Sequence, residues 1–181
     1  MNKLRTAARL GIRGLIIAML MTVNEVRALE NNVHIDGTLV SEPCTLDPDG
    51  NTLTVDFGSV VMKGLYKDTR TAAIPFIITL TDCDTTLGKD VVLQLNGDES
   101  VALPGMLAAK GAGGVGIAIG LETPEGIAIA FNKQTPAFAI ADGTTQIPLQ
   151  AWVQAEPDAI KNKSLVAGEF SAAATLDVSY P

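Results

Sequence analysis

Residues that enzymes and metal centres are built from are scarce in this sequence. It holds one histidine, His34, and two cysteines, Cys44 and Cys83, among 181 residues. A second histidine, a nucleophile elbow and a carboxylate pair at credible spacing are all missing. No enzyme class therefore gains support, and no cofactor is implied. The two thiols lack a CxxC partner, which argues against a metal site. Aromatic residues number only eight, with Trp152 the single tryptophan, so a ligand platform of clustered rings has little to draw on. Beyond residue 28 no segment is long and apolar enough to cross a bilayer. No long apolar stripe of 3.6-residue period appears either.

The first 28 residues read differently from the rest. Lys3, Arg5, Arg9 and Arg13 make a positive leader, and Gly14 to Val23 is an apolar run too short to span a membrane. Val26-Arg27-Ala28 then offers small or aliphatic groups at the positions a signal peptidase reads. Residues 1–28 are thus expected to be a secretory signal, with the mature chain starting near Leu29. Removing them takes five of the 13 basic residues and one of the 20 acidic ones, leaving 8 and 19 and a net charge of −11. That acidity argues against nucleic acid or anionic lipid as a partner. In an oxidising compartment an isolated pair such as Cys44 and Cys83 is most simply one disulfide. Its closed loop would stabilise the fold by about 4 kcal/mol on chain-entropy grounds.

What the mature chain does carry is period-two alternation, broken by clusters of Gly, Pro, Asp and Asn. That pattern predicts an all-β sandwich or barrel in a single domain. Leu53, Val55 and Phe57 form one apolar row, followed by Phe76, Ile78 and Leu80, then Val91, Leu93 and Leu95. Gly116 to Leu121 and Ile127 to Phe131 read as two strands joined by a type I turn at Thr123-Pro124-Glu125-Gly126. Ile147, Leu149, Ala151 and Val153 give another strand, with Trp152 on the opposite face, under a loop or at a contact surface. In the last segment Phe170, Ala172, Ala174, Leu176, Val178 and Tyr180 share a face, and the alternation runs almost to the final residue.

Three stretches look chemical and read better as structure. Gly111-Ala112-Gly113-Gly114-Val115-Gly116 matches GxGxxG, but a hairpin pattern follows it where a dinucleotide site needs a helix. It is expected to be a flexible loop. Asp47, Asp49, Gly50 and Asn51 lack the acidic ligand that would close a calcium loop. Asp82 and Asp84 flank Cys83 on what should be opposite strand faces, poor geometry for an acid–base pair.

Both ends of the mature chain are competent to form strands. Val33, Ile35, Gly37 and Leu39 alternate with Asn32, His34, Asp36 and Thr38 directly after the signal. The two ends either pair within one sandwich, or the terminal strand of one chain completes the sheet of its neighbour, since a bare edge invites pairing.

Several of these stretches resemble one family. VHIDGTLVSEPCTL (Val33 to Leu46) is similar to the N-terminal extension and first strand of type 1 fimbrial subunits, including the glycine seven residues before the first cysteine. PFIITLTDCDTT (Pro75 to Thr86) resembles the strand that ends in the second cysteine, QIPLQAWVQA (Gln146 to Ala155) the penultimate strand, and GEFSAAATLDVSYP the last one. Pro181, after Tyr180, departs from the family pattern and removes a backbone donor. The resemblance to chaperone–usher pilus subunits implies an immunoglobulin-like β-sandwich that lacks its last strand. It implies an extension at residues 29–41 and a pilin domain at 42–181. The extension, through Val33, Ile35, Gly37 and Leu39, would serve as the donor strand for a neighbour. Leu176, Val178 and Tyr180 would line the acceptor groove. The implied partners are a periplasmic chaperone, an outer-membrane usher and neighbouring subunits. The expected role is that of a rod or adaptor subunit in a cell-surface fimbria that supports adhesion, without membrane insertion. A free-standing secreted β-sandwich that binds carbohydrate or protein is the alternative.

Overall fold

The computed structural model describes residues 35–37, 39, 41–47 and 53–181. The expected signal, Val33, His34 and the Asp49–Asn51 turn lie outside the described residues. The chain divides into two units, one ending at Leu39 and one running from Val40 to Pro181. In the first, Ile35, Asp36, Gly37 and Leu39 have no regular secondary structure, and Ile35 and Leu39 are exposed.

The second unit is a sandwich of two antiparallel sheets. Its strands are β1 (Thr45–Leu46), β2 (Ile74–Cys83), β3 (Asp90–Gly97), β4 (Leu107–Ala108), β5 (Ile117–Glu122), β6 (Ala128–Ile129), β7 (Phe138–Ala139), β8 (Gly143–Ala155) and β9 (Ala174–Ser179). One sheet runs β1-β2-β8-β5-β4, with β6 paired to β5; the other runs β7-β3-β9. Two short helices, α1 (Met62–Asp68) and α2 (Pro157–Asn162), lie in the connections.

The alternation seen in the sequence is what packs the two sheets. Ile78 and Leu80 of β2 and Ile147, Leu149 and Val153 of β8 turn inward and are buried against Val91 and Leu93 of β3. Each such side chain contributes about 1.5–3 kcal/mol of burial. The predicted turn is present as well: Gly126 donates its N–H to the Thr123 carbonyl at 2.9 Å, and its φ of +84° suits glycine. Pro148 faces Ile77 in β8, beyond the stretch of β8 that pairs with β5. A strand tolerates proline where one side has no ladder to feed. Trp152 is buried between the sheet and Arg70, whose guanidinium lies 4.7 Å from the ring centroid. Gly120 makes its room, since a Cβ there would strike the indole.

Four expectations are corrected. Leu53 to Phe57 is not a strand, because no described segment pairs with it, although Val55 and Phe57 still turn inward. The strand expected from Ile127 to Phe131 shrinks to Ala128–Ile129, and the final strand begins only at Ala174. The GxGxxG stretch is a packed 3-10 turn over Ala112–Gly114, not a flexible loop. Gly113 donates to the Glu169 carbonyl at 3.0 Å, and a Cβ on it would strike the backbone of Gly168. Both described helices are too short to leave a periodic signature.

Cys44 and Cys83 form a disulfide across 39 residues, fastening the start of β1 to the end of β2. Replacing both by serine is expected to cost about 4 kcal/mol in chemical denaturation. An unchanged denaturation midpoint would show that the bond contributes nothing to stability.

Candidate functional site

Among the described residues β9 has one ladder partner, β3, in the register Leu93↔Val178 and Leu95↔Leu176. Its other edge meets no described strand of the opposite sheet. At the edge of that other sheet, β1 is only two residues long. Beside the start of β9 lies an apolar groove of about 1390 Å³. Leu46 and residues 53–60 form one wall, and Phe170 and Leu176 belong to the other. Ile78, Ile119 and Phe131 lie at its floor.

The walls are tied at several points. The Phe57 and Phe170 rings sit 6.2 Å apart, one on each wall. Leu165 donates its N–H to the Tyr66 hydroxyl of α1 at 3.0 Å, and Lys110 and Ser171 exchange two backbone hydrogen bonds. These contacts fix the segment that leads into β9. At the far end the Tyr180 hydroxyl donates to the Cys44 carbonyl at 3.1 Å, joining the chain end to the disulfide.

The residues singled out in the sequence thus fall into two groups. Leu176 lines the groove, while Val178 and Tyr180 pack, half-buried, against the core beside it. Ile35, Gly37 and Leu39 belong to the separate first unit, where Ile35 and Leu39 are 87% and 100% exposed. Gly37 there has open space around its Cα. Sequence reasoning missed the Phe57–Phe170 bridge, because nothing in a period-two pattern says which rows meet. Of the two aspartates that flank Cys83, Asp84 accepts from the Thr86 N–H and hydroxyl at 2.8 and 2.6 Å and serves a turn. Among the described residues no group of three His, Cys, Asp or Glu could hold a metal ion. No described helix is long and apolar enough to cross a membrane.

The model of the fimbrial protein family matches residues 33–181. The chain belongs to the fimbrial protein family. This fimbrial subunit is 34% identical over 172 residues to the uncharacterized fimbrial-like protein YfcP of Escherichia coli, covering 93% of this chain and 92% of that one. It is 30% identical to the fimbrial adapter PapK of Escherichia coli, over 85% of this chain and 90% of PapK. Its fold matches the crystal structure of the P pilus rod subunit PapA with a TM-score of 0.68 and 21% identity, over 77% of this chain and 100% of PapA. A subunit from the structure of a chaperone–usher pilus matches with a TM-score of 0.67 and 23% identity, over 88% of this chain and 99% of that one. The incomplete immunoglobulin-like sandwich is therefore the fold of pilus subunits.

Burial, and after it the charge of Glu42, raises the Tyr180 pKa above the ordinary phenol value. The fold thus favours the neutral phenol. Its stabilisation is fully present below the unfolded pKa of about 10 and is lost as pH rises through the higher folded value. Thermal unfolding between pH 9 and 11 should show an alkaline loss of stability that Tyr180→Phe reduces. An identical alkaline profile in the variant would place the titrating group elsewhere.

Proposed function

We propose that this fimbrial subunit is a non-catalytic rod or adaptor building block of a chaperone–usher fibre, and that it polymerises by donor-strand exchange and supports cell adhesion. The observation that carries this reading is the groove beside β9. A strand laid along it would gain the free backbone groups of β9 as ladder partners and would cover half-buried apolar side chains on both walls. Residues 29–41 supply such a strand, with Val33, Ile35 and Leu39 as the side chains that enter a neighbour's groove and Gly37 where the backbones come closest. Ile35 and Leu39 are large, apolar and exposed, which leaves their burial free energy available to a partner. At about 1.5–3 kcal/mol per aliphatic side chain, three of them with a backbone ladder would hold a long-lived joint.

On this reading Leu176, Val178 and Tyr180 form the acceptor side, and residues 42–181 are the pilin domain. Residues 1–28 direct export. In the periplasm a chaperone strand covers the groove, and at the outer-membrane usher the extension of the next subunit replaces it. The finished fibre stands on the cell surface. No cofactor or nucleotide is needed, because the exchange runs on folding free energy that the chaperone-held subunit has yet to release.

Replacing Gly37 by leucine tests the assignment of the donor strand. Gly37→Leu should abolish recovery of the subunit in sheared fibres while leaving its periplasmic chaperone complex at wild-type yield. Normal fibre incorporation of Gly37→Leu would overturn the placement of the donor strand.

A further inference from the structure

The sequence contains one Asn–Gly pair, Asn96–Gly97, at the end of β3. In such a pair the unhindered glycine nitrogen can attack the asparagine side chain, which makes it the dipeptide most prone to deamidation. The structure shows why the pair is nonetheless needed. A Cβ on Gly97 would press on the end of the Leu107 side chain and lie 3.0 Å from the Ala173 carbonyl, so a larger residue there would have to displace both. Asn96 donates its side-chain amide to the Asp177 carboxylate of β9 at 2.6 Å and accepts from the Gln94 amide at 2.7 Å. It stitches β9 to β3 on the face away from the groove.

The same contacts block the reaction. Attack requires the Gly97 nitrogen to reach the Asn96 side-chain carbonyl carbon. That nitrogen donates to Asn132 Oδ1 at 2.9 Å, and Asn132 Nδ2 donates back to the Gly97 carbonyl at 3.0 Å. Asp177 and Gln94 hold the Asn96 amide in place from the other side. Both locks depend on elements that must dock on β3: β9 through Asp177, and the loop containing Asn132, whose own N–H is bonded to the Leu95 carbonyl at 2.8 Å.

We infer that Asn96–Gly97 is a latent deamidation site, held closed by the docking of β9 and of the Asn132 loop on β3. When either lock opens, the Gly97 nitrogen bonds to Asn96 Cγ, its proton leaves with the side-chain amide as ammonia, and a five-membered succinimide forms. Water then opens the ring to aspartate or isoaspartate, and nothing is oxidised or reduced. The new carboxylate faces Asp177, so a cross-strand hydrogen bond becomes a like-charge contact. The change is irreversible and weakens the strand that borders the groove. A subunit whose last strand stays undocked therefore ages into one that docks it poorly.

The test follows the tryptic peptide Asp90–Lys110 by mass spectrometry after incubation at pH 8, scoring the one-dalton gain and isoaspartate. The folded mature chain should deamidate far more slowly than the same chain in urea. Asn132→Gly keeps a residue suited to the φ of +61° while deleting the clasp. It should accelerate deamidation at least about fivefold, the factor that one lost hydrogen bond makes in a local opening equilibrium. Asp177→Ala should accelerate it as well, with circular dichroism confirming that each variant is folded. Equal rates for the folded and urea-unfolded wild type would overturn the inference, and so would wild-type rates in both folded variants. Should the variants fail to fold, slow hydrogen exchange at the Gly97 amide of the wild type supports the clasp, and fast exchange refutes it.

Discussion

Along β9, only one side finds a ladder partner among the described strands, and the apolar row of Leu176 and Val178 is left half-buried. Backbone groups and aliphatic side chains that would be satisfied inside a complete sandwich stay available at a single edge. Soluble proteins usually blunt such an edge with charge, proline or a bulge, because it templates pairing with another chain. Here the six residues of the strand proper carry no proline, and the only charged one, Asp177, is engaged with Asn96 on the face away from the groove. The remaining architecture can be understood as support for this edge.

That support is concentrated where the edge could collapse. The disulfide holds β1 to β2, and Tyr180 bonds to the Cys44 carbonyl, so the C-terminal end of β9 is anchored to a covalent link. The approach to β9 is fastened by the glycine turn at Gly111–Gly114 and by Tyr66. Phe57 and Phe170 meet across the groove. The groove is thus a shaped recess with fixed walls, and an incoming strand would pay little to order them. The same docking that keeps β9 in register holds Asn96 and Gly97 apart chemically, which couples the integrity of the groove to the chemical lifetime of the chain.

Much of this was legible in the residues. The alternating rows in β2, β3, β8 and β9 predicted both strands and inward faces, because a buried sheet face leaves its period directly in the sequence. The Thr123–Gly126 turn was legible as a local rule with a local signature, and the disulfide because the chain holds only two cysteines. The Leu53–Phe57 row shows where that stops. Its alternation is real and Val55 and Phe57 pack inward while Leu53 stays exposed, but a strand also needs a partner, and pairing is decided elsewhere in the chain. The glycine run was misjudged in flexibility for a related reason, since the backbone that crowds it lies more than 50 residues away at Gly168–Phe170. Asn132 escaped notice because its role rests on a left-handed backbone and a distant strand end. The groove could be expected only from the resemblance and from an apolar strand running to the chain end.

The most direct measurement compares thermal unfolding of the plain mature chain with a version in which residues Leu29 to Val40 are moved by a short linker to follow Pro181. If the groove takes that strand, the relocated version should melt higher by on the order of 10 °C or more, given three buried aliphatic side chains in a chain of this size. Equal melting temperatures, with the plain chain already a stable monomer, would mean that the sandwich is complete without a donor and would contradict strand exchange as its mode of assembly.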